Sequence, residues 1–205
     1  MPKPLDDDLL IAAARQGDES AFQRLMEHYQ DYIFGLCTRV CRNRADAEEA
    51  AQETFLRFYQ HLDRYHPGSK LSNWLYTIAL NQCRQLLRRR KLRAMLSLDF
   101  RSEEQAAIQP LDRRASPEEN AAQSQLKAQL ARAAAALPAA QRELFALRYD
   151  LDLEISEIAA ISGKSPEAVR IGLFRARNQV RTTLESLGLD VTAWGLGDKE
   201  EEEDA

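Results

Sequence analysis

From Phe22 onward the apolar residues Leu25, Met26, Tyr29, Ile33, Leu36, Cys37 and Val40 return at steps of three and four. That spacing lays one stripe down a helix of 3.6 residues per turn, whereas a half-buried strand needs strict alternation. Strand alternation is absent here. A stripe of this length has to be covered by other helices, and the same period returns further along the chain, so the expected fold class is all-α.

Asp46 followed by Glu49 reads as a capping box opening a second helix, with Ala50, Phe55, Phe58 and Leu62 on its buried side. Pro67-Gly68 breaks it. Ser72 is the expected cap of a third helix, which buries Leu75, Ile78, Ala79, Gln82 and Leu86. This helix closes on Arg88, Arg89, Arg90, Lys91 and Arg93, where cations suit the helix dipole.

Between about Ala94 and Arg114 the periodicity fades into a polar stretch. Ser116-Pro117-Glu118-Glu119 restarts it with a cap, a proline at the first helical position and a glutamate at the third. Leu126, Leu130, Ala134 and Leu137 follow, then a helix with Leu144, Phe145 and Leu147, then two helices between Ile155 and Leu187. The expected architecture is two small helical domains, 5–93 and 116–187, joined by a flexible linker over 94–115 and trailed by a disordered acidic tail over 188–205.

Within the second domain, Ser156 to Val169 has the spacing of a helix-turn-helix. A small residue, Ala159, lets two helices cross closely, and Gly163 permits the tight turn. Ser165 caps the second helix, Pro166 starts it, and Val169, Leu173, Ala176, Val180 and Leu184 form its buried stripe. Glu167, Arg170, Ile171, Phe174 and Arg175 are left facing outward or flanking the stripe. Such a face enters a DNA major groove, where arginine pairs bidentately with guanine.

The formal net charge of -4 and pI near 5.5 argue against a chain that grips duplex DNA unaided. Charge is unevenly placed, however: arginines gather at 88–93 and 170–181, and acids at Glu200 to Asp204. In the first domain Asp46, Glu48, Glu49, Gln52, Glu53 and Phe55 make an acidic helix face with an aromatic anchor, suited to a basic partner surface. Tyr65, Trp74 and Tyr76 interleave with Arg84, Arg88 and Arg89, a mixture suited to single-stranded DNA, because bases stack on rings while arginines track phosphates.

The segments DAEEAAQETFLRFY and SNWLYTIALNQCRQLLRRR, in that order, resemble conserved region 2 of bacterial RNA polymerase sigma factors. The segment ALPAAQRELFALRYDLDLEISEIAAISGKSPEAVRIGLFRAR likewise resembles region 4. The short linker and missing middle domain match the extracytoplasmic-function (ECF) group, and the resemblance covers about residues 5 to 187. It implies a factor that directs core polymerase to specific promoters and assists their opening, with no cofactor and no catalytic residue.

By that resemblance Asp46, Glu48, Glu49, Gln52, Glu53 and Phe55 bind the β′ clamp helices, and region 4 meets the β flap. The loop from about Tyr65 to Leu71, including Ser69 and Lys70, captures a flipped base of the minus-10 element beside Trp74. Asn81, Arg84 and Arg88 follow the DNA where its strands part. Ser165, Glu167, Arg170, Ile171, Phe174 and Arg175 read the minus-35 element. An anti-sigma factor holding both domains is a further implied partner. The chain departs from the common family pattern at Leu80, Gln85, Lys164, Ile171 and Gly172.

Other readings remain open at this level. A stand-alone helix-turn-helix repressor or activator would bind a symmetric operator as a dimer, and a helical adaptor would need no DNA. No P-loop, HExxH or dinucleotide fingerprint points to an enzyme. Cys37 and Cys41, with His28 or Cys83, are a possible metal or redox group, although reduced core thiols fit their apolar positions better. The acidic tail reads as a solubilising end or as a competitor of DNA for the recognition helix. The absence of an apolar run of bilayer length or a signal peptide points to the cytoplasm without membrane insertion.

Overall fold

The computed structural model describes residues 6–96 and 121–189, with side chains from residue 128 in the second stretch. The linker beyond Leu96, the Ser116 start signal and the acidic tail lie outside the described residues. Those described form eight α-helices: α1 (Asp7–Arg15), α2 (Glu19–Cys41), α3 (Arg44–Gln60), α4 (Leu71–Leu96), α5 (Ala121–Ala135), α6 (Ala139–Phe145), α7 (Ile155–Ser162) and α8 (Pro166–Ser186). Among the described residues no helix is long and apolar enough to cross a membrane.

Helix α1 was not read from the sequence, although its signals are present. The Asp6 side chain accepts from the Leu9 amide, two acids occupy the first turn and Arg15 the last, and Leu10, Ile11 and Ala14 are buried. Helix α2 follows its stripe, burying Leu25, Tyr29, Ile33, Leu36, Cys37 and Val40, and ends at Arg42 in the left-handed region.

The cap of α3 is Asn43, whose side chain accepts from the Asp46 amide at 3.0 Å; Asp46 itself stands in the first turn and pairs with Arg90 at 3.1 Å. The buried face of α3 is mostly small, Ala47, Ala50, Ala51 and Thr54 with Phe58, which lets α3 lie close against α2 and α4. Ser72 is likewise not a cap: α4 begins one residue earlier and Ser72 is buried in its first turn.

Region 156–169 folds as its spacing predicts. Gly163 ends α7 at φ 72°, where a side chain would be strained, Ser165 Oγ accepts from the Ala168 amide at 3.2 Å, and Pro166 opens α8. Val169, Leu173, Ala176, Val180 and Leu184 are its buried residues. Gly172 allows α8 its approach to α6, since a Cβ there would collide with Leu144 Cδ1.

The two helical groups are packed on each other. One continuous core runs from Leu10 through α2, α3 and α4 into Leu144, Leu147, Leu153, Ile158 and Val169. A smaller core of Ala133, Ala134, Leu137, Phe145, Ala176, Val180 and Leu184 joins α5 to α8. Cys37, Cys41 and Cys83 are buried free thiols in the first core. A hydrogen bond with Cys83 and then burial push Cys41 up; a hydrogen bond with Cys37 and burial push Cys83 up against the lowering effect of Cys41, and both shifts lead away from the reactive thiolate. Among the described residues no group of three or more His, Cys, Asp or Glu side chains is set to hold a metal.

Candidate functional site

Two surfaces of the N-terminal helices carry the candidate residues. On α3, Glu48, Glu49 and Gln52 are exposed, while Asp46, Glu53 and Phe55 are half-buried at its margins. Among the described residues the carboxylates here pair with nearby arginines: Arg44 with Glu48 at 2.8 Å, Arg57 with Glu53 at 2.7 Å, Arg89 with Glu49 at 3.9 Å and Arg90 with Asp46 at 3.1 Å. Exposed pairs of this kind are weak, on the order of 0–1 kcal/mol, and give way readily to a partner. Leu56 and Tyr59, 50% and 55% exposed, add apolar area to the same helix.

On α4 and the loop before it, the sequence-selected residues come together, but not all in the same role. Trp74 packs edge-on against Phe58 and tilted against Tyr65, so it is partly core and partly wall of an open groove. That groove, about 410 Å³, is lined by Asn81, Arg84 and Arg88 as expected, and also by Arg57, His61 and Arg64, which the sequence reading passed over. A row of cations beside an aromatic wall is the chemistry of a single-strand site. The spacing of those three along the exit of α3 is the signal that was available.

Tyr65 is 4% exposed, so its ring cannot receive a base. Its hydroxyl donates to Asp8 Oδ1 or the Ser69 carbonyl, at 2.8 and 2.6 Å, and burial followed by the Asp8 carboxylate pushes its pKa up to about 12. His66, Ser69 and Lys70 are exposed around it.

The C-terminal helices cover part of this surface. Arg84 donates to Glu143 Oε2 at 3.0 and 2.8 Å and to the Ser162 carbonyl at 3.2 Å. Lys70 and Asn73 reach Glu157 Oε1 at 2.6 and 3.4 Å. Burial opposes ionisation of Glu157, but Lys70, the Glu154 amide and Asn73 together hold its carboxyl below the usual range. Arg39 pairs with Asp150 at 3.2 Å.

Arg142 is the deepest of these links. It is 7% exposed and donates to the Val40 carbonyl at the end of α2, at 3.1 and 2.8 Å, and to the Leu137 carbonyl at 2.7 Å. One guanidinium thus satisfies helix-terminal carbonyls from both groups, where cations are favoured by the dipole. Burial pulls its pKa down. Its sequence context, PAAQRELF, offers no sign of this role.

On α8, Ser165, Glu167, Arg170, Ile171, Phe174 and Arg175 are all exposed, with Ser165 engaged as the cap. Ile171 and Phe174, 46% and 48% exposed, put apolar surface between the arginines.

The chain matches the family model of sigma-70 region 2 over residues 25–93 and that of sigma-70 region 4 over residues 127–180. It is 30% identical over 177 residues to the RNA polymerase sigma factor CarQ of Myxococcus xanthus, covering 86% of this chain and 97% of that one. The chain belongs to the ECF-type RNA polymerase sigma factors. Another relative of this sigma factor is the ECF RNA polymerase sigma factor SigW of Bacillus subtilis, 29% identical over 179 residues, 86% of this chain and 96% of the relative.

Two solved structures share the fold. The sigma factor RpoE of Bartonella quintana, in complex with the anti-sigma factor NepR, aligns with TM-score 0.65 at 22% identity over 80% of this chain and 96% of that one. CnrH in complex with the cytosolic domain of CnrY aligns with TM-score 0.63 at 24% identity, over 89% and 99%. Sigma factors are non-catalytic subunits. Family membership also disposes of the stand-alone repressor and the adaptor.

Proposed function

We propose that this sigma factor docks on core RNA polymerase through the outer face of α3, with Asp46, Glu48, Glu49, Gln52, Glu53 and Phe55 meeting the β′ clamp helices, and through region 4 on the β flap. The observation that supports this most is the difference in engagement. Glu48, Glu49 and Gln52 lie open to solvent, whereas Lys70 and Arg84 of the neighbouring basic surface are engaged by α6 and α7.

Promoter reading then divides between the two regions. The loop with Ser69 and Lys70, with Trp74, Asn81, Arg84 and Arg88, takes the minus-10 strand, and Tyr65 serves as a buried strut under that loop. Glu167, Arg170, Ile171, Phe174 and Arg175, on the helix capped by Ser165, take the minus-35 duplex. Each duplex step lost in opening costs about 1.4 kcal/mol of stacking, more than one small acidic chain compensates alone. Polymerase supplies the remaining contacts and holds both DNA-reading regions at high effective concentration. An anti-sigma protein that covers the exposed apolar residues of α3 and α8 would keep the factor from polymerase. The two neighbours solved with anti-sigma partners support that class of inhibitor.

The test is affinity for purified core polymerase, comparing the native chain with Glu48→Lys plus Gln52→Ala. A loss of about tenfold or more, from placing a like charge against a basic surface, is expected. Unchanged affinity in a folded variant would move the docking surface away from α3.

A further inference from the structure

The loop that precedes α4 is held from outside its own helix pair. Arg15, the last residue of α1, donates through Nε to the Leu62 carbonyl at 2.9 Å and through Nη2 to the carbonyls of Leu62, Asp63 and Tyr65 at 2.6, 3.1 and 2.5 Å. These carbonyls belong to the 3-10 turn after α3, where the Leu62 carbonyl also accepts from the Tyr65 amide at 3.2 Å. At the other end of α1, the two oxygens of Asp8 take separate donors: Oδ1 accepts from the Tyr65 hydroxyl at 2.8 Å and Oδ2 from the Gly68 amide at 3.0 Å. Gly68 has φ 82°, the backbone turn that brings Ser69 and Lys70 round to solvent.

Helix α1 is fixed in turn. Tyr29 on α2 donates its hydroxyl to Asp7 Oδ2 at 2.7 Å, and Leu10, Ile11 and Ala14 sit in the main core. The loop from 62 to 70 is therefore clamped at both ends by one short helix anchored in the domain core. Its exposed residues His66, Ser69 and Lys70, with Asn73 and Trp74, line a cleft of about 380 Å³ whose opposite wall is Ala160 and Ile161 of α7, the wall that leaves when region 4 does.

We infer that α1 is a positioning element for minus-10 strand capture: Asp8 and Arg15 hold the 62–70 loop in the shape that receives an unstacked base. The inference rests on the proposed role of that loop. Asp8 and Arg15 touch no DNA in this scheme; they act through the backbone of Leu62, Asp63, Tyr65 and Gly68. A loop clamped before binding loses less conformational entropy when it closes on a base, and it presents one arrangement of polar groups instead of many.

The test uses holoenzyme assembled from full-length chain and core polymerase, and a pool of oligonucleotides with randomised single-stranded minus-10 segments. Sequencing of the captured strands gives a base preference at each position. Asp8→Ala is expected to flatten the preference at one position and to weaken capture of the best strand about tenfold, from the loss of two hydrogen bonds to a carboxylate. Core affinity is expected to stay unchanged. Asp8→Asn can still accept from the Gly68 amide and donate to the Tyr65 hydroxyl, losing only the carboxylate's charge, so it is expected to give an intermediate loss even if Asp8→Ala disturbs folding. Arg15→Lys, which cannot span three carbonyls, should fall between wild type and Arg15→Ala.

Native preference in Asp8→Asn and Arg15→Lys would overturn the inference if Ser69→Ala and Lys70→Ala still shift it. If the loop substitutions too leave the preference untouched, the base-capturing role of the loop itself is refuted, and the clamp with it.

Discussion

The outer face of α3 and the basic surface of α4 sit on adjacent helices of one domain, yet they meet the rest of the chain differently. The carboxylates on α3 pair with arginines of α3 and α4, within the N-terminal helices. Arg84, Lys70 and Asn73 are instead bonded to Glu143, Glu157 and the Ser162 carbonyl of the C-terminal helices. The surface assigned to polymerase is presented while part of the surface assigned to promoter DNA is covered. In the proposed scheme this difference orders events: the α3 face meets polymerase as it stands, whereas seating region 4 on the β flap and capturing the strand both need α6 and α7 to leave α4.

The closed contact is also imperfect. Asn73 Oδ1 and Ser162 Oγ are buried there without a protein partner. Each such group costs about 1–3 kcal/mol relative to a hydrogen-bonded one, which keeps the closed arrangement within reach of a competing ligand.

The most damaging single change to the contrast is Arg142→Ala. It strips the Val40 and Leu137 carbonyls of a buried cation, and a loss of about 3 kcal/mol is expected from the desolvation left behind. Urea unfolding followed by helical circular dichroism measures it. An Arg142 that merely fills space would cost far less.

Gly172→Ala comes next. The added methyl meets Leu144 Cδ1, and displacement of that side chain should cost about 1–3 kcal/mol and lower the melting temperature of the α6–α8 packing. A melting temperature equal to wild type would show that Leu144 repacks freely.

Glu143→Gln with Glu157→Gln is the sharper tool, because it removes the two carboxylates that face the DNA surface and leaves α3 untouched. Capture of a single-stranded minus-10 oligonucleotide by the free chain should improve about tenfold, and polymerase affinity should rise, because polymerase also selects the open arrangement. A fall in polymerase affinity would mean that Glu143 or Glu157 itself meets polymerase.

The smallest effect is with pH. Glu157 has its folded pKa depressed, so its contribution is present above the unfolded value near 4.5 and is lost as pH falls through the folded value. Fluorescence transfer between labels on α2 and α8 should therefore show loosening below about pH 4.5 that Glu157→Gln removes. Identical acid profiles for the two proteins would exclude Glu157 as the group responsible.

What was legible in the sequence follows the same physical divide. Periodicity exposed α2, α4 and α8, because a long apolar stripe and a cap-proline start are local signals. The turn at Gly163 was readable because one left-handed residue decides it. The start of α3 was misplaced because Asn43 and Asp46 are both good cap residues, and only geometry shows that Asn43 takes the role. Helix α1 was missed because nine residues hold too short a stripe to stand out from the acids around them.

The candidate surfaces were legible as residue sets, but their engagement was not. Arg142, Glu143 and Glu157 act on residues far away in the chain, and nothing in a local pattern encodes a partner at that separation. Tyr65 illustrates the limit from the other side. An aromatic residue near arginines suggests stacking, and its burial beneath Asp8 and Ser69 appears only once α1 is in place.

The most direct measurement is the separation of labelled α2 and α8 in the full chain, followed by fluorescence transfer while core polymerase and then a minus-10 oligonucleotide are added. High transfer in the free chain, a fall when polymerase binds, and strand capture only after that fall are the predicted sequence. Tight capture of the oligonucleotide by the free chain with transfer still high would contradict it, since Lys70 and Arg84 would then read DNA while bonded to region 4.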